Sequence, residues 1–106
     1  MLDHHTRQKL KNNWGEKADN LQCNAEIKFI DETGKYECFI YAMNPQDEDE
    51  IWCILNTNGY IELFWGSLLD IRRSFDARAI ELNVDLEYVP RKVNVIHKKL
   101  MERYEP

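Results

Sequence analysis

The stretch Glu50-Ile51-Trp52-Cys53-Ile54-Leu55-Asn56-Thr57-Asn58-Gly59-Tyr60-Ile61-Glu62-Leu63-Phe64-Trp65 decides how this chain folds. Two runs rich in β-branched and aromatic residues flank Asn58-Gly59. Asn-Gly accepts positive φ at both central positions of a type I′ turn, whose twist matches the strands it joins. A two-residue turn there predicts a hairpin with Leu55 opposite Glu62, Cys53 opposite Phe64 and Trp52 opposite Trp65. An antiparallel sheet at the centre of the domain follows.

Working outward, Tyr36 to Met43 is nearly all apolar or aromatic, as is Ile51 to Leu55. Strands without a polar face belong in the middle of a sheet covered on both sides. Between them, Asn44-Pro45-Gln46-Asp47-Glu48-Asp49-Glu50 is expected to be an exposed loop, because Pro45 stops a strand and four consecutive acids resist burial. Upstream, Cys23, Ala25, Ile27 and Phe29 alternate with polar residues, predicting a half-buried strand that turns back at Thr33-Gly34. Downstream, Val84, Leu86 and Tyr88 alternate with Asp85 and Glu87, predicting a fifth strand that Pro90 ends.

Three helices complete the pattern. Asp3 can cap the first, with Leu2, Thr6, Leu10 and Trp14 along one stripe and Gly15 as a stop. Ser67 caps the second, with Asp70 at its third position and Leu68, Ile71 and Phe75 facing inward. Val93, Ile96, Leu100 and Tyr104 mark the third. The order α-β-β-β-β-α-β-α predicts one α+β domain over residues 1–106, an antiparallel meander of four strands with a fifth at an edge.

Composition sets limits. At 106 residues, the 43% hydrophobic content is too high for a disordered chain. No run approaches the roughly 18 apolar residues of a membrane span. Met1-Leu2-Asp3-His4-His5 lacks the features of a signal peptide, so a cytoplasmic setting is expected. The net charge of −5 is uneven: residues 1–20 carry +1, 90–106 carry +3 and 21–89 carry −9. An acidic sheet region argues against nucleic acid bound on the sheet.

Cys23, Cys38 and Cys53 are evenly spaced, yet each falls in an expected strand, where small buried thiols are common. With Thr33-Gly34 at the turn, Cys38 faces Phe29, and Cys23 lies roughly 20 Å further along. That separation excludes a disulfide or a shared metal between those two.

The segment from Asn44 through Asn56, continuing through Asn58-Gly59-Tyr60-Ile61-Glu62-Leu63 and Ser67-Leu68-Leu69-Asp70-Ile71, resembles a family of small bacterial proteins of unknown function. That family is often carried on plasmids and integrated mobile elements. The stretch Asp85-Leu86-Glu87-Tyr88-Val89-Pro90-Arg91-Lys92 resembles its closing acidic–aromatic–Pro–basic segment. Here Ile61 stands where the family usually has Pro before Glu-Leu. The resemblance implies the same element order and a mobile-element setting, and it supplies no catalytic residue.

No constellation points to a reaction. The acids Asp47, Glu48, Asp49 and Glu50 lack the alternating ligands and the Gly of a calcium loop, so no metal is expected there. His4 and His5 point about 100° apart on a helix. His97 has no ligand partner at helical spacing. Ser67 is better explained as a cap than as a nucleophile. Glu62 would share a sheet face with Tyr60 and Phe64, where a carboxylate among aromatics can act as an acid; an edge carboxylate reaching water is the plainer reading.

Trp52 and Trp65 form either core packing or, if left uncovered, a docking patch. Arg91, Lys92, Lys98, Lys99 and Arg103 form a basic face on the last helix, interrupted by Glu102. The leading expectation is therefore a non-enzymatic protein-interaction module without a cofactor. Its candidate partner-binding residues are Asp47, Glu48, Asp49, Glu50, Trp52, Glu62 and Trp65. The mobile-element setting implies an inhibitor or modulator of a host defence or replication protein. A small ligand binder or enzyme using Glu62 is the first alternative, and nucleic-acid binding through the last helix is the second.

Overall fold

The computed structural model describes residues 2–104. Its elements are α1 (His4–Asn12), α2 (Glu16–Asp19), β1 (Asn24–Ala25), β2 (Ile27–Ile30), β3 (Tyr36–Asn44), β4 (Asp47–Thr57), β5 (Tyr60–Ser67), α3 (Leu68–Ala77), β6 (Asn83–Val84), β7 (Arg91–Lys92) and α4 (Val93–Tyr104). The five-stranded antiparallel sheet runs β5-β4-β3-β2-β6, and β1 pairs separately with β7. This is the expected α+β meander with a further strand at one edge.

The hairpin has the predicted register: Leu55 pairs with Glu62, Cys53 with Phe64 and Trp52 with Trp65. Asn58 at φ 52° and Gly59 at φ 98° supply the two positive φ values that the turn requires. Phe29 pairs with Cys38, as the Thr33-Gly34 turn predicts. Asp31 anchors that turn, its carboxylate accepting from Thr33 Oγ1 at 2.7 Å and Tyr36 N at 3.0 Å.

Strand β3 is central, and its residues from Glu37 to Met43 are all buried. Both faces are therefore covered. On one, Cys38, Ile40, Met43, Ile51, Cys53 and Leu55 pack against Leu10 of α1 and Ile71 and Phe75 of α3. On the other, Phe39, Tyr41, Ala42 and Ile54 pack against Ala18 of α2 and Val93, Ile96 and Leu100 of α4. Tyr41 and Ala42 share a face because β3 bulges between Ile40 and Ala42, where its register against β4 shifts. The caps form as expected: Asp3 accepts from Thr6 N at 2.7 Å and Ser67 from Asp70 N at 3.1 Å. No helix among the described residues is long and apolar enough to cross a membrane.

Three expectations need correction. The strand expected through Cys23, Ala25, Ile27 and Phe29 is split at Glu26, with Asn24–Ala25 pairing with β7 and Ile27–Ile30 with β3. The acidic run is not a loop: Asp47 to Glu50 open β4, and Asn44 pairs directly with Asp47 across a tight Pro45-Gln46 turn. Asn44 Oδ1 accepts from Gln46 N at 2.8 Å and holds the bend. Four acids tolerate a strand here because this end of the hairpin is exposed to water and near donors on α1, β5 and α3. The expected strand from Val84 to Tyr88 stops at Val84. Asp85 instead forms a local turn, its Oδ1 accepting from Glu87 N at 3.0 Å. Leu86 is left 92% exposed. Tyr88 turns inward, where its hydroxyl donates to Ala25 O at 2.7 Å.

Candidate functional site

Three aromatic residues on neighbouring strands form a ladder from the core to the surface. Tyr41 of β3 stacks on Trp52 of β4 with centroids 6.3 Å apart, and Trp52 stacks on Trp65 of β5 at 5.8 Å. The bulge at Tyr41 aims its ring along this row, and the hairpin register sets Trp52 against Trp65. Burial falls along the ladder: Tyr41 is fully buried, Trp52 half-buried and Trp65 58% exposed. The core and surface explanations of the Trp pair are thus divided between its members. Trp65 is held in place by its indole, which donates to Glu50 Oε2 at 2.6 Å. Glu50 Oε1 in turn accepts from Asn44 Nδ2 at 2.8 Å.

The segment joining α1 to α2 comes up against this ladder. Asn13 fastens it, its Nδ2 donating to Tyr41 O at 2.9 Å, beside the bulge. Gly15 then takes φ 96°, a conformation that strains any other residue, and reverses the chain into α2. An open cleft of about 290 Å³ results, lined by Trp14, Gly15, Asp19, Trp52 and Trp65. Trp14 and Asp19 are additions to the sequence-derived site. The only sequence signal for them was the Trp14-Gly15 stop, which does not say where the chain goes next.

The other candidate acids are occupied within the fold. Glu48 pairs with Lys11 at 2.5 Å, which holds its carboxyl below the ordinary carboxylate value. Asp49 accepts from Ser67 Oγ and, at 2.9 Å, from Leu69 N, adding a second cap to α3. Asp47 accepts from Asp49 N at 3.1 Å. Glu62 is half-buried on the opposite face, between Tyr60 and Phe64 along β5. It does not line the larger cavity of about 380 Å³, whose walls include Phe29, Met43, Ile71, Phe75, Leu82 and Arg7.

A second polar cluster, unforeseen from the sequence, lies at the far end of the α4-covered face. Glu37 is only 2% exposed, and its carboxylate accepts from Asn56 Nδ2 at 2.8 Å. It also pairs with Lys28 and Arg103, each at 3.0 Å. Asn56 Nδ2 reaches Tyr104 Oη at 3.2 Å, and its Oδ1 accepts from Gly59 N at 2.9 Å. The signal was the lone acid in an otherwise apolar strand.

The three cysteines are buried free thiols, although Cys23 lies just ahead of β1 rather than inside a strand. Burial raises the Cys23 thiol, and burial followed by the neighbouring Cys38 thiol raises Cys53, so both resist becoming nucleophilic thiolates. Among the described residues no group of three or more His, Cys, Asp or Glu is placed to hold a metal ion. On the basic face of α4, Arg103 is committed to Glu37, and nearby Lys92 donates to Gln22 O at 2.9 Å.

Compared with known proteins, the chain matches no family model, no curated protein and no solved structure.

Proposed function

We propose that this chain is a non-enzymatic interaction module that docks a protein partner through Trp65 and the outer strand β5. The observation that carries this reading is the exposed Trp65 ring, stacked on Trp52 and hydrogen-bonded to Glu50. A large aromatic side chain already held in one orientation loses little entropy on binding, and such residues dominate interface hot spots. Leu63, also exposed, lies two residues away on the same sheet face and extends the apolar surface. Of the acidic run, Glu50 alone adjoins this surface as the Trp65 partner. Its neighbours act mainly within the fold. The resemblance to proteins of mobile elements supports a host defence or replication protein as the partner, with inhibition or modulation as the outcome.

The test is site-specific photo-crosslinking in cells, with the reactive residue at position 63 or, as a control, at the more exposed position 86. A discrete adduct from position 63 that disappears in Trp65→Ala supports the reading. Equal yields from both positions, or adducts indifferent to Trp65→Ala, would remove β5 as the docking surface.

A further inference from the structure

We infer that the cleft lined by Trp14, Trp52 and Trp65 is an aromatic cage for a cation, taking a Lys or Arg side chain from an extended segment of the protein partner. This deepens the docking reading above and rests on it. The indole face is the strongest π partner for an ammonium or guanidinium, and the indoles of Trp14 and Trp65 line this cleft beside Trp52, which is itself stacked between Tyr41 and Trp65. The only charged residue among its lining is Asp19. Asp19 is exposed and has no ion-pair partner among the described residues.

An apolar occupant would cover Asp19 without answering its charge, and an anionic one would be repelled by it. A cation satisfies both the ring faces and the carboxylate. The net charge of −5 favours the approach of a basic partner. The open cleft of about 290 Å³ has room for one such side chain. An extended partner segment, rather than a free small cation, is favoured by position. Trp65 stands on β5, the outermost strand of the sheet, where a further strand can align and present a side chain to the cage.

The chain has three tryptophans and all of them line the cleft, so intrinsic fluorescence reports directly on its occupancy. The full chain is titrated with short glycine–serine peptides carrying a central arginine, lysine, citrulline or glutamate, and with tetramethylammonium. Saturable fluorescence changes with the arginine or lysine peptide are expected, with citrulline and glutamate weaker by about tenfold or more. Asp19→Asn, which keeps the side-chain shape, should weaken the basic peptide about two- to fivefold and leave the citrulline peptide unchanged. Trp65→Ala should abolish the response. Equal binding of citrulline and arginine peptides, or full binding by Asp19→Asn, would overturn the cage. Tighter binding of tetramethylammonium than of either basic peptide would overturn the side-chain occupant. Crosslinking from position 63 without any cation response would leave the docking surface standing and remove the cage alone.

Discussion

The two ends of the α4-covered face treat charge in opposite ways. At the Asn56 end, the buried Glu37 is answered by Lys28, Arg103 and Asn56, and Asn56 is itself tied to the hairpin turn. At the Trp65 end, an aromatic ladder opens to water beside Asp19, which has no cation partner among the described residues. A carboxylate inside a fold must be satisfied by that fold, since an uncompensated buried charge is costly. A carboxylate at an open cleft is satisfied by water until something better arrives. The first end therefore serves stability, and the second is the end at which we propose that binding occurs.

Substitutions should separate the two ends. The largest effect is expected at Glu37: Glu37→Ala leaves Lys28 only the more distant Asp85 and takes an acceptor from the buried Asn56 amide, and urea denaturation should record a loss of about 2–4 kcal/mol. Next is Asn56→Ala, which strips partners from Glu37, Tyr104 and Gly59 and should cost about 1–3 kcal/mol in the same measurement. Ser67→Ala removes the cap on Asp70 N and should cost about 1 kcal/mol, visible as earlier loss of helical circular dichroism on heating. Trp65→Ala, by contrast, should lower stability by about 1 kcal/mol or less, through the lost ring stack, while eliminating adduct formation from position 63. If Trp65→Ala destabilised the chain as much as Glu37→Ala, the division between a structural end and a binding end would fail.

The smallest effect is in acid. Burial raises the Asp31 carboxyl, but hydrogen bonds from Thr33, Tyr36 and Gly34 outweigh it and hold it below its ordinary value. A carboxyl with a lowered folded value contributes stability above its unfolded pKa of about 3.9 and loses that contribution as pH falls through the folded value. Denaturation midpoints between neutral pH and about pH 3 should therefore fall less in Asp31→Asn than in the unaltered chain. Equal falls would show that the turn does not depend on the ionised carboxylate.

Local chemistry made much of this fold legible. Asn58-Gly59 specified the hairpin down to the Trp52–Trp65 pair, because a two-residue turn leaves one register. Asp3 and Ser67 marked helix starts through bonds that span only three residues. The unbroken apolar run of β3 announced a sheet covered on both sides. Where reasoning from pattern fell short, long-range partners or competing local turns were responsible. The acidic run became strand because Lys11, Ser67 and Leu69 supply donors from elsewhere in the chain. Alternation at Val84–Tyr88 lost to the turn at Asp85.

By itself, the sequence determined the meander, its central strand and the pairing of its aromatic residues, since turn geometry and side-chain alternation act over a few neighbouring residues. Only the tertiary structure decided that Trp14 and Asp19 stand beside Trp52 and Trp65, and that Glu37 is neutralised from β2 and α4. Those juxtapositions depend on how the α1–α2 segment and α4 pack across the sheet, and no local preference encodes contacts between residues so far apart along the chain.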